Sequence, residues 1–127
     1  MRHVDSAASL HGGTYSHAVV DGDRVYVSGQ IAADRPGGPG PGDIETETRT
    51  CMELLQAVLA DVGATFADVV HVRVFMTDLS EFDRMDRVYG TFLEPGRAPA
   101  RTTVGVAQIL SGCRIEIDCI ARLAPVP

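Results

Sequence analysis

One apolar stripe, running from residue 44 to residue 62, constrains the fold of this chain more than any other feature. Its side chains recur mostly at three- and four-residue steps, the spacing of a single helix face: Ile44, Cys51, Leu54, Leu55, Val58, Leu59 and Val62. Asp43 is a good N-cap for such a helix, and Gly63 ends it. The stripe predicts a helix of about five turns that must pack against a second layer, so it is the main core element.

Short β-rich runs lie on both sides of this helix. Residues 15–20 and 24–28 are separated by Asp21-Gly22-Asp23. An Asp-Gly pair between such runs indicates a hairpin, because glycine tolerates the positive φ of a tight turn. Residues 69–76 predict a strand with one shared apolar face, made of Val70, Val72, Val74 and Met76.

A second amphipathic helix and two further strands complete the predicted order. The helix spans roughly residues 80–93, and Pro95-Gly96 ends it. The strands follow at about residues 102–109 and 114–123. Residues 30–33 either form a short strand of their own or extend the second strand. The order β-β-(β)-α-β-α-β-β predicts an α+β fold in which one mixed sheet carries two helices on one face.

The last strand indicates that the other face of this sheet is open and half apolar. Apolar residues, which suit a helix-packed face, alternate along it with a mixed set of charged and apolar residues. The apolar set is Ile115, Ile117, Cys119, Ala121 and Leu123, and the mixed set contains Glu116, Asp118 and Ile120. Tyr26, His71 and Phe75 are expected on the same open face. An open face of this kind is a candidate subunit interface, so we expect a closed homo-oligomer.

Length, charge and cysteine usage narrow the functional classes. The 127 residues fit one domain, 1–127, with a flexible N-terminal segment at 1–12 and a Pro- and Gly-rich loop at 35–42. A net charge of −6 with scattered arginines argues against a nucleic-acid surface, and no apolar tract is long enough for a membrane span. Three cysteines without a CxxC or HExxH motif predict reduced thiols in the cytoplasm and no metal site.

Two charged residues are the main candidates for chemistry. Arg101 begins a strand after a Pro-containing loop, and a guanidinium offers a rigid fork that fits a carboxylate. It can equally be a solvated strand-end arginine or half of an ion pair. Glu116 lies between isoleucines, where a carboxylate is costly unless it is paired or used. It is therefore either a general base or acid, or a partner of Arg114 or Arg122.

Three other residue types are weaker candidates. Tyr15 can hydrogen-bond or stack on a ligand, or it is a half-buried tyrosine at a strand start. Gly29, after Ser28, can offer a backbone amide to a ligand, or it marks a bulge. Cys119 lies on the predicted core face and is expected to be an inert packed thiol, whereas Cys113 lies in a turn.

Several segments match one known family in order and spacing. They include Tyr15-Ser16-His17-Ala18, Tyr26-Val27-Ser28-Gly29-Gln30-Ile31, Val74-Phe75-Met76-Thr77-Asp78-Leu79, Pro99-Ala100-Arg101-Thr102-Thr103-Val104 and Ile115-Glu116-Ile117. From about residue 13 to residue 123 the chain resembles the RidA/YjgF family of reactive-intermediate imine deaminases. The resemblance implies a chorismate-mutase-like fold and a homotrimer. In that assembly three sheets form a central barrel, and the active sites lie in clefts between subunits.

The resemblance also implies an activity and a set of site residues. The family hydrolyses enamines and imines of the 2-aminoacrylate type to 2-oxo acids and ammonia, and it needs no cofactor. Arg101 matches the arginine that binds the substrate carboxylate, and Glu116 matches the acid that positions or activates water. Tyr15 matches the cleft tyrosine and Gly29 a backbone contact, while Thr103 matches a pocket-wall position.

Three departures from the family pattern leave alternatives open. Thr14 replaces a common proline, Thr103 stands where many members have cysteine, and Gly105 replaces an acidic residue. One alternative is therefore a pathway-specific tailoring enzyme that acts on a larger imine, enamine or carbonyl compound. Another is a non-enzymatic trimer that binds ligands or acts as a chaperone. Ribonuclease activity, attributed to relatives of this family, fits poorly with the net charge of −6.

Overall fold

A computed structural model describes residues 1–125 of the chain. Its regular elements are β1 (Arg2–Val4), β2 (Ala18–Asp21), β3 (Arg24–Gln30), α1 (Ile44–Asp61), β4 (Val69–Met76), α2 (Phe82–Gly90), β5 (Ala100–Gly105) and β6 (Ile115–Arg122). Short 3-10 turns lie at Ala32–Asp34, Phe66–Asp68, Leu79–Glu81 and Leu110–Gly112. From β2 onwards the predicted order of helices and strands is confirmed, and residues 30–33 form the end of β3 followed by a turn.

The six strands form one mixed sheet in the order β1-β2-β3-β6-β4-β5. Only β4 and β5 pair in parallel; the other neighbours are antiparallel. The β2–β3 hairpin closes at Asp21 and Arg24, with Gly22 at a φ of 61°. Glycine adopts a positive φ readily, which is why an Asp-Gly pair is favoured in such a turn.

Helix α1 covers one face of the sheet and supplies more buried hydrophobic side chains than any other single element. The Asp43 carboxylate accepts a hydrogen bond from the Thr46 N–H at 2.8 Å, which confirms the predicted N-cap. Ile44, Leu55 and Leu59 are fully buried, as are their sheet neighbours Val25 and Ile117. Helix α2 packs beside α1, so both helices lie on the same side of the sheet.

A buried carboxylate on α1 fixes two loops at one end of the sheet. Glu47 has no exposed surface, and its two oxygens accept backbone N–H groups from Gly42 at 3.0 Å and from Arg114 at 2.8 Å. Glu47 therefore anchors both the end of the Pro/Gly loop and the start of β6. The sequence suggests only that its charge suits a helix N-terminus.

The first strand is an addition to the predicted order. The expectation for residues 1–12 is a flexible segment, whereas Arg2–Val4 pair with β2. Further along, the buried ring of His17 accepts the Ser6 N–H at Nδ1 (2.8 Å) and contacts the Leu10 carbonyl through Nε2 (3.2 Å). These contacts hold the segment against the hairpin.

A bulge changes the predicted face of one residue in β4. Val69 pairs with Ala121 and His71 with Ile120, so Val70 is an extra residue opposite no partner. Val70 is consequently 44% exposed, and Val69 takes the buried position. The expectation that Val70 shares the face of Val72 is wrong, because the alternation slips by one residue at the bulge.

Two other boundaries differ from the predicted ones. Helix α2 covers nine residues instead of fourteen, because its first turn is a 3-10 turn capped by Asp78 and its last helical residue is Gly90. Strand β5 begins at Ala100 and ends at Gly105, opposite the last residue of its partner β4, Met76. Pairing stops there because the parallel partner ends.

Candidate active site

Glu116 lies on β6 and faces the open side of the sheet beside a second bulge. The register between β3 and β6 shifts between Val27 and Gln30, so Ser28 and Gly29 leave the regular ladder. A side-chain Cβ at Gly29 would lie 2.8 Å from the Glu116 carboxyl carbon and closer still to Oε2. Glycine is therefore what allows the carboxylate to lie directly on the β3 backbone.

The Glu116 carboxylate receives no hydrogen bond from any side chain or backbone N–H within residues 1–125. Its candidate partners are engaged elsewhere: Arg114 donates to the Gly42 carbonyl at 2.9 Å, and Arg122 donates to Asp23 at 2.9 Å. Partial burial raises the pKa of Glu116, and the charges of Asp118 and Asp34 add to this, while Arg73 opposes it.

Tyr15 and Gly29 line the same cavity as Glu116. This cavity of about 260 Å³ is lined by Tyr15, Ser28, Gly29, Ile31, Asp34, Leu110 and Glu116. The Tyr15 ring is stacked on His11, with 4.7 Å between the ring centroids, and its hydroxyl oxygen accepts the Gly12 N–H at 3.4 Å. Three of the five site residues predicted from the sequence therefore meet at one place, which we call the acid half-site.

Arg101 lies in a different cavity, beneath α2. Its Nη1 donates to the Asp86 carboxylate at 2.5 Å. The guanidinium carbon is 4.8 Å from the Tyr89 ring centroid and 5.2 Å from that of Phe82. The cavity of about 550 Å³ runs from Asp86 and Tyr89 past residues 93–96 and 98–99 to Arg101, and Arg97 is not part of its lining. We call this the arginine half-site.

The two half-sites lie on opposite faces of one sheet. Arg101 is opposite Val72, and Val72 is buried against the helices. Glu116 is opposite Phe75, which faces the open side. Thr103, opposite Val74, shares the face of Arg101. Within one chain Arg101 and Glu116 therefore cannot contact the same small ligand.

Sequence reasoning missed three residues of these half-sites. Asp34 and Leu110 line the acid half-site from short 3-10 turns, where no periodic pattern indicates a position. Asp86 pairs with Arg101, and here a signal exists. It falls beside the apolar stripe of α2, between Phe82 and Tyr89, where an acidic residue is unusual and suggests a nearby positive partner.

The three cysteines are packed thiols. Cys51, Cys113 and Cys119 are all buried and none forms a disulfide. Burial raises the pKa of Cys119 to about 12, which confirms the expectation of an inert core thiol. Burial also raises the pKa of Cys113, whose position in a turn had left its role open. No cluster of three or more His, Cys, Asp or Glu side chains suited to a metal ion occurs within residues 1–125.

The fold and motifs agree with comparisons against known proteins. The family model described as "Endoribonuclease L-PSP" matches residues 6–123. The structure of RidA from an Antarctic Psychrobacter bacterium superposes with a TM-score of 0.90, at 30% identity, covering 97% of this chain and 100% of that one. The chain belongs to the RidA/YjgF family, and the predicted family and fold are confirmed.

Two curated relatives cover nearly the whole chain. The mitochondrial protein mmf2 of Schizosaccharomyces pombe is 40% identical over 121 residues, which are 93% of this chain and 94% of that protein. A rat 2-iminobutanoate/2-iminopropanoate deaminase is 36% identical over 114 residues, 89% of this chain and 82% of the rat protein. No helix within residues 1–125 is long and apolar enough to cross a membrane. A cytoplasmic location stays a prediction, since one relative is named as mitochondrial.

Proposed function

We propose that this protein hydrolyses imines that carry a carboxylate, giving 2-oxo acids and ammonia, at a site completed by two copies of the chain. The observation that carries the proposal is the pair of half-sites on opposite sheet faces, one with a partly buried carboxylate and the other with an arginine. Neither half alone can both hold and hydrolyse such a substrate. The name of the rat relative supports the substrate class.

The chemistry needs few groups. A protonated imine, R–C(=NH₂⁺)–COO⁻, and water give R–CO–COO⁻ and NH₄⁺, so atoms and charge balance. The protonated carbon–nitrogen bond is already electrophilic, and the site must mainly orient the substrate, place a water and move protons. Arg101 would bind the substrate carboxylate, as its fork geometry allows.

Glu116 would accept a proton from the attacking water. Its raised pKa suits this role, because a general base works best with a pKa closer to the working pH. Tyr15 would close one wall of the cavity, and the Gly29 backbone would contact the substrate. Thr103, two residues beyond Arg101 on the same face, would form part of the opposite wall.

The open sheet face supports an assembly of copies. Tyr26 is 46% exposed and lies in one row with Ile120 and His71, and Phe75 lies further along the same face. The helices leave this half-apolar face uncovered, and a surface of this kind favours association. A closed ring in which this face is buried, as in the homotrimer that the family resemblance implies, would bring the β5 edge of one copy to the acid half-site of the next.

The charge of the two half-sites argues against RNA as a substrate. Asp34 and Glu116 line one cavity, and Asp86 and Glu94 accompany Arg101 in the other. RNA phosphates require clustered positive charge. The acidic lining therefore favours a small substrate with a positively charged nitrogen over a nucleic-acid strand.

A coupled assay tests the proposal. Imines would be generated from serine by a pyridoxal-phosphate lyase, and 2-oxo acid release followed with lactate dehydrogenase and NADH. We expect Arg101→Ala and Glu116→Gln each to lower the acceleration by about 100-fold or more. Arg97→Ala, which removes a 77% exposed arginine, is the matched control and should leave the rate unchanged. No acceleration by the wild type, or equal acceleration by Arg101→Ala, would contradict the proposal.

A further inference from the structure

Arg101, the proposed binding group for the substrate carboxylate, already forms an ion pair with Asp86. Among the described residues that line the arginine half-site, Arg101 is the only positively charged one, and Asp86 neutralises it before any ligand binds. Within the described residues, the Nε and Nη2 groups of Arg101 have no hydrogen-bond partner, so part of the guanidinium fork remains available. A ligand carboxylate bound there must approach the Asp86 carboxylate.

Asp86 is placed to interact with a ligand as well as with Arg101. Its side chain is 48% exposed and lines the cavity, whereas Arg101 is only 22% exposed and contacts the rings of Phe82 and Tyr89. The rings already hold the guanidinium in position, so Asp86 is not its only support. Its exposed carboxylate therefore acts mainly through charge.

The charge of the ligand changes during the proposed reaction. The protonated imine has a carboxylate and a positive nitrogen, so its net charge is zero. The 2-oxo acid product keeps the carboxylate and loses the nitrogen, so its net charge is −1. The carboxylates of Asp86 and Glu116 attract the nitrogen of the imine, whereas the product meets only repulsion from them.

We propose that Asp86 is a specificity-determining residue that weakens binding of the anionic 2-oxo acid relative to the zwitterionic imine. This inference rests on the proposed function. It gives the site a preference for monocarboxylates that carry a cationic nitrogen, and it promotes release of the product. A dicarboxylate would be bound more weakly still, because a second negative charge would enter a site that already contains several carboxylates.

Binding of 2-oxobutanoate, measured by titration calorimetry at low salt, tests this directly. Asp86→Asn keeps the shape of the side chain and removes its charge. We expect it to tighten 2-oxobutanoate binding by about 5- to 20-fold, the range for removing one half-exposed like charge near a ligand. Asp86→Glu retains the charge and should bind like the wild type. Asp83→Asn, an exposed change of the same charge on the same helix, is the matched control.

Steady-state kinetics give an independent readout. In Asp86→Asn the inhibition constant of 2-oxobutanoate should fall by the same factor as its dissociation constant, while KM for the imine changes less. A purely structural role would move both constants together and would also alter Asp86→Glu. Raising the salt concentration should reduce the difference between Asp86→Asn and the wild type, because screening weakens the repulsion.

The outcomes separate this inference from the proposed function. If Arg101→Ala abolishes 2-oxobutanoate binding while Asp86→Asn binds like the wild type, the inference is overturned and the anchor role of Arg101 stands. If Arg101→Ala binds 2-oxobutanoate as tightly as the wild type, Arg101 does not bind the ligand carboxylate, and both that part of the proposed function and the inference about Asp86 are wrong. Absence of measurable binding to both the wild type and Asp86→Asn also overturns the inference.

Discussion

Replacing Gly29 by alanine tests the geometry of the acid half-site. A Cβ at this position would lie 2.8 Å from the Glu116 carboxyl carbon and 3.0 Å from its Cγ, whereas ordinary contacts begin at 3.4 Å. Gly29 does not adopt a positive φ, so the new methyl group adds no backbone strain. The carboxylate is the far end of a flexible side chain and must move by about 1 Å, a displacement that can lower a rate about 100-fold.

We therefore expect Gly29→Ala to lower kcat/KM by about 100-fold, or about 2.7 kcal/mol, with little change in stability. The coupled 2-oxo acid assay gives the rate, and urea unfolding followed by circular dichroism gives the free energy of unfolding. Gly42→Ala is the matched control, because a Cβ there meets nothing within 4 Å.

A double-mutant cycle shows whether Gly29→Ala acts through Glu116. In a Glu116→Gln background, whose activity is already low, the added Gly29→Ala change should cost little more. Full activity of the single variant would refute this account of the half-site. So would a second, independent 100-fold loss on top of Glu116→Gln.

Three further predictions concern buried and titrating groups. The pKa of Glu116 in the folded state is raised above the ordinary 4.5, so the fold loses stability as the pH rises and this carboxyl ionises. In urea unfolding, Glu116→Gln should therefore be more stable than the wild type at pH 7 and equally stable near pH 3. Glu47→Gln should lower the free energy of unfolding by about 1–3 kcal/mol, because the buried carboxylate accepts two backbone N–H groups and one of them loses its acceptor. An unchanged urea midpoint would contradict this. The Tyr89 hydroxyl is buried without a hydrogen-bond partner among the described residues. Tyr89→Phe should therefore leave the free energy of unfolding unchanged or raise it by up to about 1 kcal/mol in the same measurement. A clear loss of stability would show that the hydroxyl has a partner.

Local patterns predict most of the fold because they depend on nearby residues. The helix stripe from Ile44 onwards, its Asp43 cap and the turn at Gly22 each involve groups only a few residues apart, and all three are confirmed. The alternation along β6 is equally local and places Ile115, Ile117 and Cys119 in the core as expected.

Features that depend on a distant partner could not be predicted in this way. The bulge at Val70 arises from the pairing of β4 with β6, and β1 is an edge strand of three residues, too short to show an alternation. The end of β5 is set by the end of β4. None of these partners can be identified from the local sequence.

The candidate site also has a part that the sequence predicts and a part that it does not. The family motifs identify Tyr15, Gly29 and Glu116 as candidate site residues, and the structure places these three around one cavity. The motifs do not reveal that Arg101 lies on the other face of the sheet, or that Asp86 pairs with it. Both facts follow from strand order and helix packing. They supply a physical reason, in this chain's own geometry, for the proposed site between two copies, which the family resemblance also implies.

Complementation between inactive variants tests this central claim most directly. Arg101→Ala and Glu116→Gln would be unfolded together at equal concentration, refolded and assayed for imine hydrolysis. If each site combines Arg101 of one copy with Glu116 of another, random assembly restores about a quarter of the sites, and activity should approach a quarter of the wild-type value. A mixture no more active than the two parent variants would contradict the claim that these residues act together across a subunit boundary.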